Sequence, residues 1–284
     1  VKLKFNIGVY RLQKHISIDD PAKILYYALD ALDALKDLRL AVTSISHYDS
    51  EVNKKRFNKN QLITHISESI DHSKLGLTYK QIINLDKNEV FGYMVLLNLD
   101  NYEVDSTYLD FVVERRGLRV DLEKYLISNT FKEIKMLKDA SRGYVLSFID
   151  VCKETLEDNF YSFIQSQKVF YKIANNYIAF CVNDAQSPII KKLKLEGYLI
   201  ASYNVLDVYN NNCDYFLFDF HNCAIMAIKE IEKLCQDHNI TLIFINIDSL
   251  EDLNFCKENN FNYIYGNYYK KAIRMKSIIE KINN

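Results

Sequence analysis

A β/α barrel is the fold class this sequence predicts, and three observations carry the prediction. From Leu75 onward, stretches with strand character alternate with helical ones over roughly 200 residues. Several of the strand stretches are apolar throughout, Leu242-Ile243-Phe244-Ile245 among them, which suits parallel strands buried on both faces. Apolar residues make up 49% of the 284, enough to bury the core of one large domain. A doubly wound sheet fits the same periodicity and stays open as the alternative.

The elements follow in order. Lys4 to Leu12 reads as a strand around Ile7, Val9 and Leu12. Asp20-Pro21 then opens a helix, Asp at the cap and Pro at the first position, and Ile24, Leu25, Ala28, Leu32 and Leu35 form its stripe to about Asp37. A second strand, Ala41 to Ser46, closes a small α+β segment over residues 1–50. Residues 51–72 read as a polar linker helix with a sparse apolar face of Phe57, Leu62, Ile63 and Ile66. Residues 73–284 hold the barrel. Its strands are expected at Leu77–Leu85, Val90–Leu97, Tyr144–Asp150, Tyr177–Val182, Leu199–Tyr203, Tyr215–Asp219, Leu242–Ile247 and Tyr263–Tyr265. Helices are expected between most of them, at Asp121–Leu137, Ile189–Leu195, Cys223–Gln236 and Leu250–Asn259 among others.

Charge excludes some functions. With 36 basic and 37 acidic side chains the net is -1, which leaves no electrostatic footprint for a nucleic acid polymer or an anionic membrane surface. No apolar run reaches the roughly 18 residues of a bilayer span, and the N-terminus has no secretory pattern. Val1 falls within strand-like sequence, so the reading is a cytoplasmic fragment of a longer protein that could carry a sensor or anchor upstream. The six cysteines, at 152, 181, 213, 223, 235 and 256, form no CxxC pair and read as reduced thiols packed in a core.

No P-loop, GxGxxG, HExxH or GxSxG occurs, and the six histidines show no metal-ligand spacing. Asp219-Phe220-His221 stands at a strand end, where barrel active sites form, although capping the next helix is the commoner role for such residues. Tyr263, Tyr265, Tyr268 and Tyr269 cluster without basic interleaving, which favours packing over base stacking.

Short blocks of the sequence, taken in order, resemble the tail of a GGDEF domain followed by an EAL domain of the cyclic di-GMP phosphodiesterase family. Ile7-Gly8-Val9, Ala31-Leu32-Asp33-Ala34-Leu35-Lys36 and Tyr48-Asp49 are similar to the GGDEF tail, whose signature would lie upstream. Leu77-Thr78-Tyr79-Lys80-Gln81-Ile82-Ile83-Asn84-Leu85 is similar to "YQPIVDL", and Val90-Phe91-Gly92-Tyr93 to the strand leading into the E-A-L signature. Phe111-Val112-Val113-Glu114-Arg115-Arg116-Gly117-Leu118 is similar to "F-I-x-x-A-E-x-x-G-L", and Tyr263-Ile264-Tyr265-Gly266 with Tyr268-Tyr269 to "QGYYF". The resemblance implies an EAL-type TIM barrel.

It also implies a lost active site. Active members hold two divalent cations with carboxylates and an Asn, and a Lys assists the attacking water. On those positions this sequence has Met94 for the signature Glu, Asp150 for the Asn, Cys181 for a second Glu and Tyr203 and Asn204 for the paired aspartates. Leu217 replaces the Lys, Ile245 another Glu, and Tyr265 the Gln. Only Asp150, Asp219 and Asp248 still offer carboxylates there, too few for two hard cations that each need several oxygens. No cofactor and no metal are expected. Asn98 stands for the phosphate-binding Arg, Lys80 for a Gln and Ala272 for a Pro, losses that argue against cyclic di-GMP binding. Only Val205 to Cys213 separates Asn204 from the next strand, too short for the family's loop and helix, which puts its usual dimer in doubt. The expectation is a non-catalytic bacterial regulatory module that meets a protein partner or a second copy of itself. A receptor that keeps the dinucleotide, with Asn98, Asp150, Asp219 and Asp248 as its contacts, is the alternative, and weak hydrolysis the third reading.

Overall fold

The computed structural model describes residues 6–11, 24–25, 27–29, 31–32, 44–48, 64, 75–98, 118–140, 143–157, 159–221, 223–268 and 272–283. The chain divides into two compact units. In the first, β1 (Asn6–Val9) pairs in parallel with β2 (Ser44–His47), and residues 24–25, 27–29 and 31–32 between them are helical. This is the expected strand, helix, strand order. Gly8 lets the helix backbone lie directly on β1, since a Cβ there would sit 2.0 Å from the Ala28 carbonyl oxygen. The linker helix at 51–72, apart from helical Thr64, lies outside the described residues, as do Phe111 to Gly117 and Tyr269.

The second unit is a closed eight-stranded barrel, so the doubly wound alternative is set aside. Its strands are β3 (Gly76–Asn84), β4 (Glu89–Asn98), β5 (Ser147–Asp150), β6 (Ile178–Val182), β7 (Leu199–Ser202), β8 (Tyr215–Phe218), β9 (Thr241–Phe244) and β10 (Tyr263–Ile264). Around the wall they run β10-β3-β4-β5-β6-β7-β8-β9. All neighbours are parallel except β3, which is antiparallel to both β4 and β10. The reversal follows from sequence, because only Leu85 to Asn88 joins β3 to β4 and a parallel crossover needs a dozen residues or more.

The helices are α1 (Arg119–Ala140), α2 (Lys153–Glu157), α3 (Phe160–Tyr171), α4 (Pro188–Leu195), α5 (Val205–Tyr209), α6 (Ile225–Asp237), α7 (Leu250–Glu258) and α8 (Met275–Asn283). The short segment after Asn204 does fold as a helix, α5; nine residues suffice because Asn204 caps it by accepting from the Leu206 N–H at 3.0 Å. Four helices stop in the same way. Gly197, Asn211, Asn239 and Asn260 take left-handed φ, and the next residue's N–H closes back five residues, as in Ile240 to Cys235 at 2.8 Å and Phe261 to Cys256 at 2.9 Å. Six of the seven non-glycine residues with positive φ among the described ones are Asn. In a chain with only 7 glycines, asparagine supplies the tight turns.

Two shells form the core. Alternate residues of β5 and of the stretch leading into it divide between them: Leu146 and Phe148 point into the barrel, Val145 and Ile149 toward the helices. Inside, the small Ala179 and Ala201 make room for Phe148 and Leu217. All six cysteines are free thiols; 181, 213, 235 and 256 are buried, 152 is half-buried and 223 is exposed. No helix among the described residues is long and apolar enough to cross a membrane.

Candidate functional site at the barrel mouth

The carboxyl ends of the parallel strands define the mouth, and the structure brings most of the sequence-predicted positions there. Met94, Cys181 and Leu217 are 3%, 1% and 2% exposed and belong to one cluster that fills the barrel interior with Phe148 and Ile243. Tyr203, Ile245 and Tyr265 pack onto that cluster from above. The layer is continuous and apolar, and each side chain gains by staying out of water, about 1.5–3 kcal/mol for a fully buried Met, Leu or Ile. Burial and the nearby Asp150 charge push the Cys181 thiol well above its usual pKa, so it stays protonated.

Polar groups ring this plug, and most are already committed to one another. Asp150, the last residue of β5, accepts the Tyr203 hydroxyl at 2.6 Å. Burial and then the Asp150 charge hold that phenol far above the ordinary tyrosine range. On β3, Lys80 lies across from Met94, so both point to the same side of the sheet. Its ammonium donates to Asn267 Oδ1 and sits 4.9 Å from the Tyr265 ring centroid. Asp248 accepts from the Asn267 N–H at 2.6 Å. Burial lowers the Lys80 pKa, and the Asp248 charge works against that shift. Sequence reading registered Lys80 only as a departure from the family, and gave no signal for Asn267. Asn204 is spent on its cap, and Asn98, at the end of β4, is half-buried opposite Gly76.

The Asp219-Phe220-His221 cluster does not cap the following helix; Ala224 stands at the α6 cap position without a side-chain bond. Instead, Asp219 Oδ1 meets His221 Nδ1 at 2.6 Å, and Oδ2 accepts from Asn246 at 2.8 Å. His221 Nε2 lies 3.2 Å from Asp252, whose carboxylate also completes the Ser249 capping box of α7. The Ser-x-x-Asp spacing at 249–252 is the sequence signal for that box. The imidazole stacks on Phe220, which stacks on Phe255 of α7. A protonated His221 therefore ties the end of β8 to the start of α7. Its hydrogen bond to Asp219 raises its pKa above 6.5, with both carboxylate charges adding to that. Burial alone would raise Asp219 and Asp252, but hydrogen bonds from the His221 and Asn246 groups and from the capping box hold both below 3.8.

The histidine's share of stability is complete below its unfolded pKa near 6.5 and disappears as pH rises through its higher folded value. The carboxylates' share is complete above 3.8 and is lost as pH falls through their depressed values. His221→Gln should therefore lower the melting temperature most between about pH 4 and 6.5. For so exposed a group the loss should be at most about 1 kcal/mol. Thermal melts from pH 4 to 9 check this; a gap that widens above pH 8 contradicts it.

The residues present do not fit a pair of divalent cations. Asp150, Asp219 and Asp248 do not converge, and among the described residues no three His, Cys, Asp or Glu side chains form a metal-holding group. Oxygen donors are what magnesium or manganese requires, and the side chains of Met94, Cys181, Leu217 and Ile245 bring none to this rim.

No protein-family model matches the chain, and no curated relative does. Solved structures do. The EAL enzyme Bd1971 bound to cAMP and cyclic-di-GMP superposes with a TM-score of 0.66 at 13% identity, over 94% of this chain and 77% of that one. The Xanthomonas citri FimX EAL domain in complex with c-diGMP gives 0.64 at 9%, over 78% and 97%. Vibrio cholerae LapD, an S helix-GGDEF-EAL chain in its apo form, gives 0.63 at 16%, over 92% and 67%. What these likenesses establish is the fold: the chain is built on the TIM-type barrel of EAL domains.

Proposed function

We propose that the chain is a degenerate EAL domain, with residues 1–50 the tail of a GGDEF domain and 51–72 a linker, and that it signals through protein contact without hydrolysing cyclic di-GMP. The observation that carries the reading is the dry plug at the mouth. Four positions where the resemblance calls for two Glu, a Lys and a further Glu hold Met94, Cys181, Leu217 and Ile245, all part of or packed on one apolar cluster. Two-metal hydrolysis needs both ions to activate the water and stabilise the leaving oxygen, and this mouth offers neither ion a ligand shell. The ordered blocks from Leu77 to Tyr268 and the solved EAL neighbours support family membership.

A receptor reading rests on a separate observation. Lys80, a buried lysine, holds its ammonium beside the Tyr265 ring, a cation and an aromatic face that suit a nucleotide. The Asp150 and Asp248 carboxylates beside them disfavour a phosphate. Incubation with cyclic di-GMP and Mn²⁺ should leave the dinucleotide intact, and calorimetry should show no micromolar binding. Turnover that Asp150→Ala abolishes would overturn the loss of catalysis. Micromolar heat without turnover would replace protein contact by the receptor reading.

A further inference from the structure

The opposite end of the barrel carries a second feature, independent of the mouth. Where the parallel strands begin, a cavity of about 880 Å³ opens between β4, β5, β6, β7 and β8. Its size falls within the range of small-molecule sites, about 300–1,000 Å³. The amino-terminal end of such barrels ordinarily serves stability, yet here it holds an exposed aromatic surface. Tyr144, 68% exposed, stacks on Tyr177 with ring centroids 5.5 Å apart and planes 11° from parallel. Phe91 and Tyr215 form the inner wall, edge to face at 5.8 Å, and both rest on Phe148. Burial and nearby acidic groups push the Tyr215 phenol up to about 12, so its hydroxyl keeps its proton and remains a donor. Glu89 and Asn176 add a carboxylate and an amide to the same lining.

A cavity lined by aromatic rings together with a carboxylate and an amide suits a ring that stacks and hydrogen-bonds along its edge. An aliphatic chain would use neither the parallel tyrosines nor the polar edge. We propose that this cavity is a binding site for a small planar heteroaromatic molecule, stacked on the Tyr144–Tyr177 pair with its N–H edge toward Glu89 and Asn176.

The chain has no tryptophan, so indole can be excited selectively as the probe. Fluorescence anisotropy of indole should rise saturably with added protein, adenine should compete, and cyclohexanol should not. Tyr144→Ala should weaken indole binding about tenfold or more, as loss of one stacking face does, while the melting temperature holds because Tyr144 is largely solvent-exposed. Val90→Arg, at the exposed rim of the cavity, should block it in a second background. No saturable anisotropy, equal competition by cyclohexanol, or unchanged affinity in both variants overturns the proposal.

Discussion

Cys181→Glu, which restores the carboxylate that the EAL resemblance calls for, should be strongly destabilising and should not be rescued by Mn²⁺. Cys181 is 1% exposed among Phe148, Ala179, Ala201 and Leu217, and its thiol already feels the Asp150 charge. A glutamate there would place a second negative charge in an apolar layer where Asp150 already acts on the side chain and no cation is seen among the described residues to offset it. An uncompensated buried charge costs about 3 kcal/mol or more, a fall of roughly 6–12 °C in melting temperature for a barrel of this size. Cys181→Gln has nearly the same shape without the charge, so the difference between the two variants at pH 7 isolates electrostatics. The buried Glu would have a raised pKa, so its penalty grows as pH rises above the unfolded value near 4.3 and vanishes below it. Melts of both variants at pH 4 and pH 7 should therefore converge at the acid end. A mouth able to collect metal would instead show Mn²⁺ raising the Cys181→Glu melting temperature above that of Cys181→Gln.

Phe148→Ala should be the most damaging truncation inside the barrel. The ring is fully buried and touches the Phe91 and Tyr215 rings, at centroid distances of 6.4 and 5.0 Å. It also dictates Gly92, where a Cβ would come within 2.9 Å of Phe148 Cε2. Removing it leaves a void between rigid strands that cannot collapse, at a cost of about 3–5 kcal/mol. Chemical denaturation should show the midpoint shifted down with the m-value unchanged. A loss below about 1 kcal/mol would mean that the interior is far less tightly packed than the two-shell core implies.

Much of this architecture was legible because burial on both faces leaves a plain mark. Uninterrupted apolar runs such as Leu242–Ile245 identified parallel strands, while Cys181 and Leu217 were picked out only through the EAL resemblance. Strand ends were the weakest part: Ile245 to Ile247 continue the apolar run of β9, yet Asn246 has a φ of 63° and breaks the ladder. Helix α3 was not singled out, since its aromatic and β-branched residues, Tyr161, Phe163 and Val169, suit strands as well as helices. What no pattern could show was the pairing across the mouth. Tyr203 and Asp150 are 53 residues apart, and Lys80 and Asn267 are 187 apart. Read one at a time in the sequence, Tyr203, Asp150 and Lys80 are departures from the EAL resemblance and Asn267 carries no signal; in three dimensions they satisfy one another.

The measurement that bears most directly on the dry mouth is a manganese titration of the whole chain followed by electron paramagnetic resonance. With apolar side chains lining the interior and each rim acid engaged elsewhere, the signal of free Mn²⁺ should rise in step with the amount added. Loss of two equivalents from solution, with the coupled spectrum of ions about 4 Å apart, would contradict the account at its root.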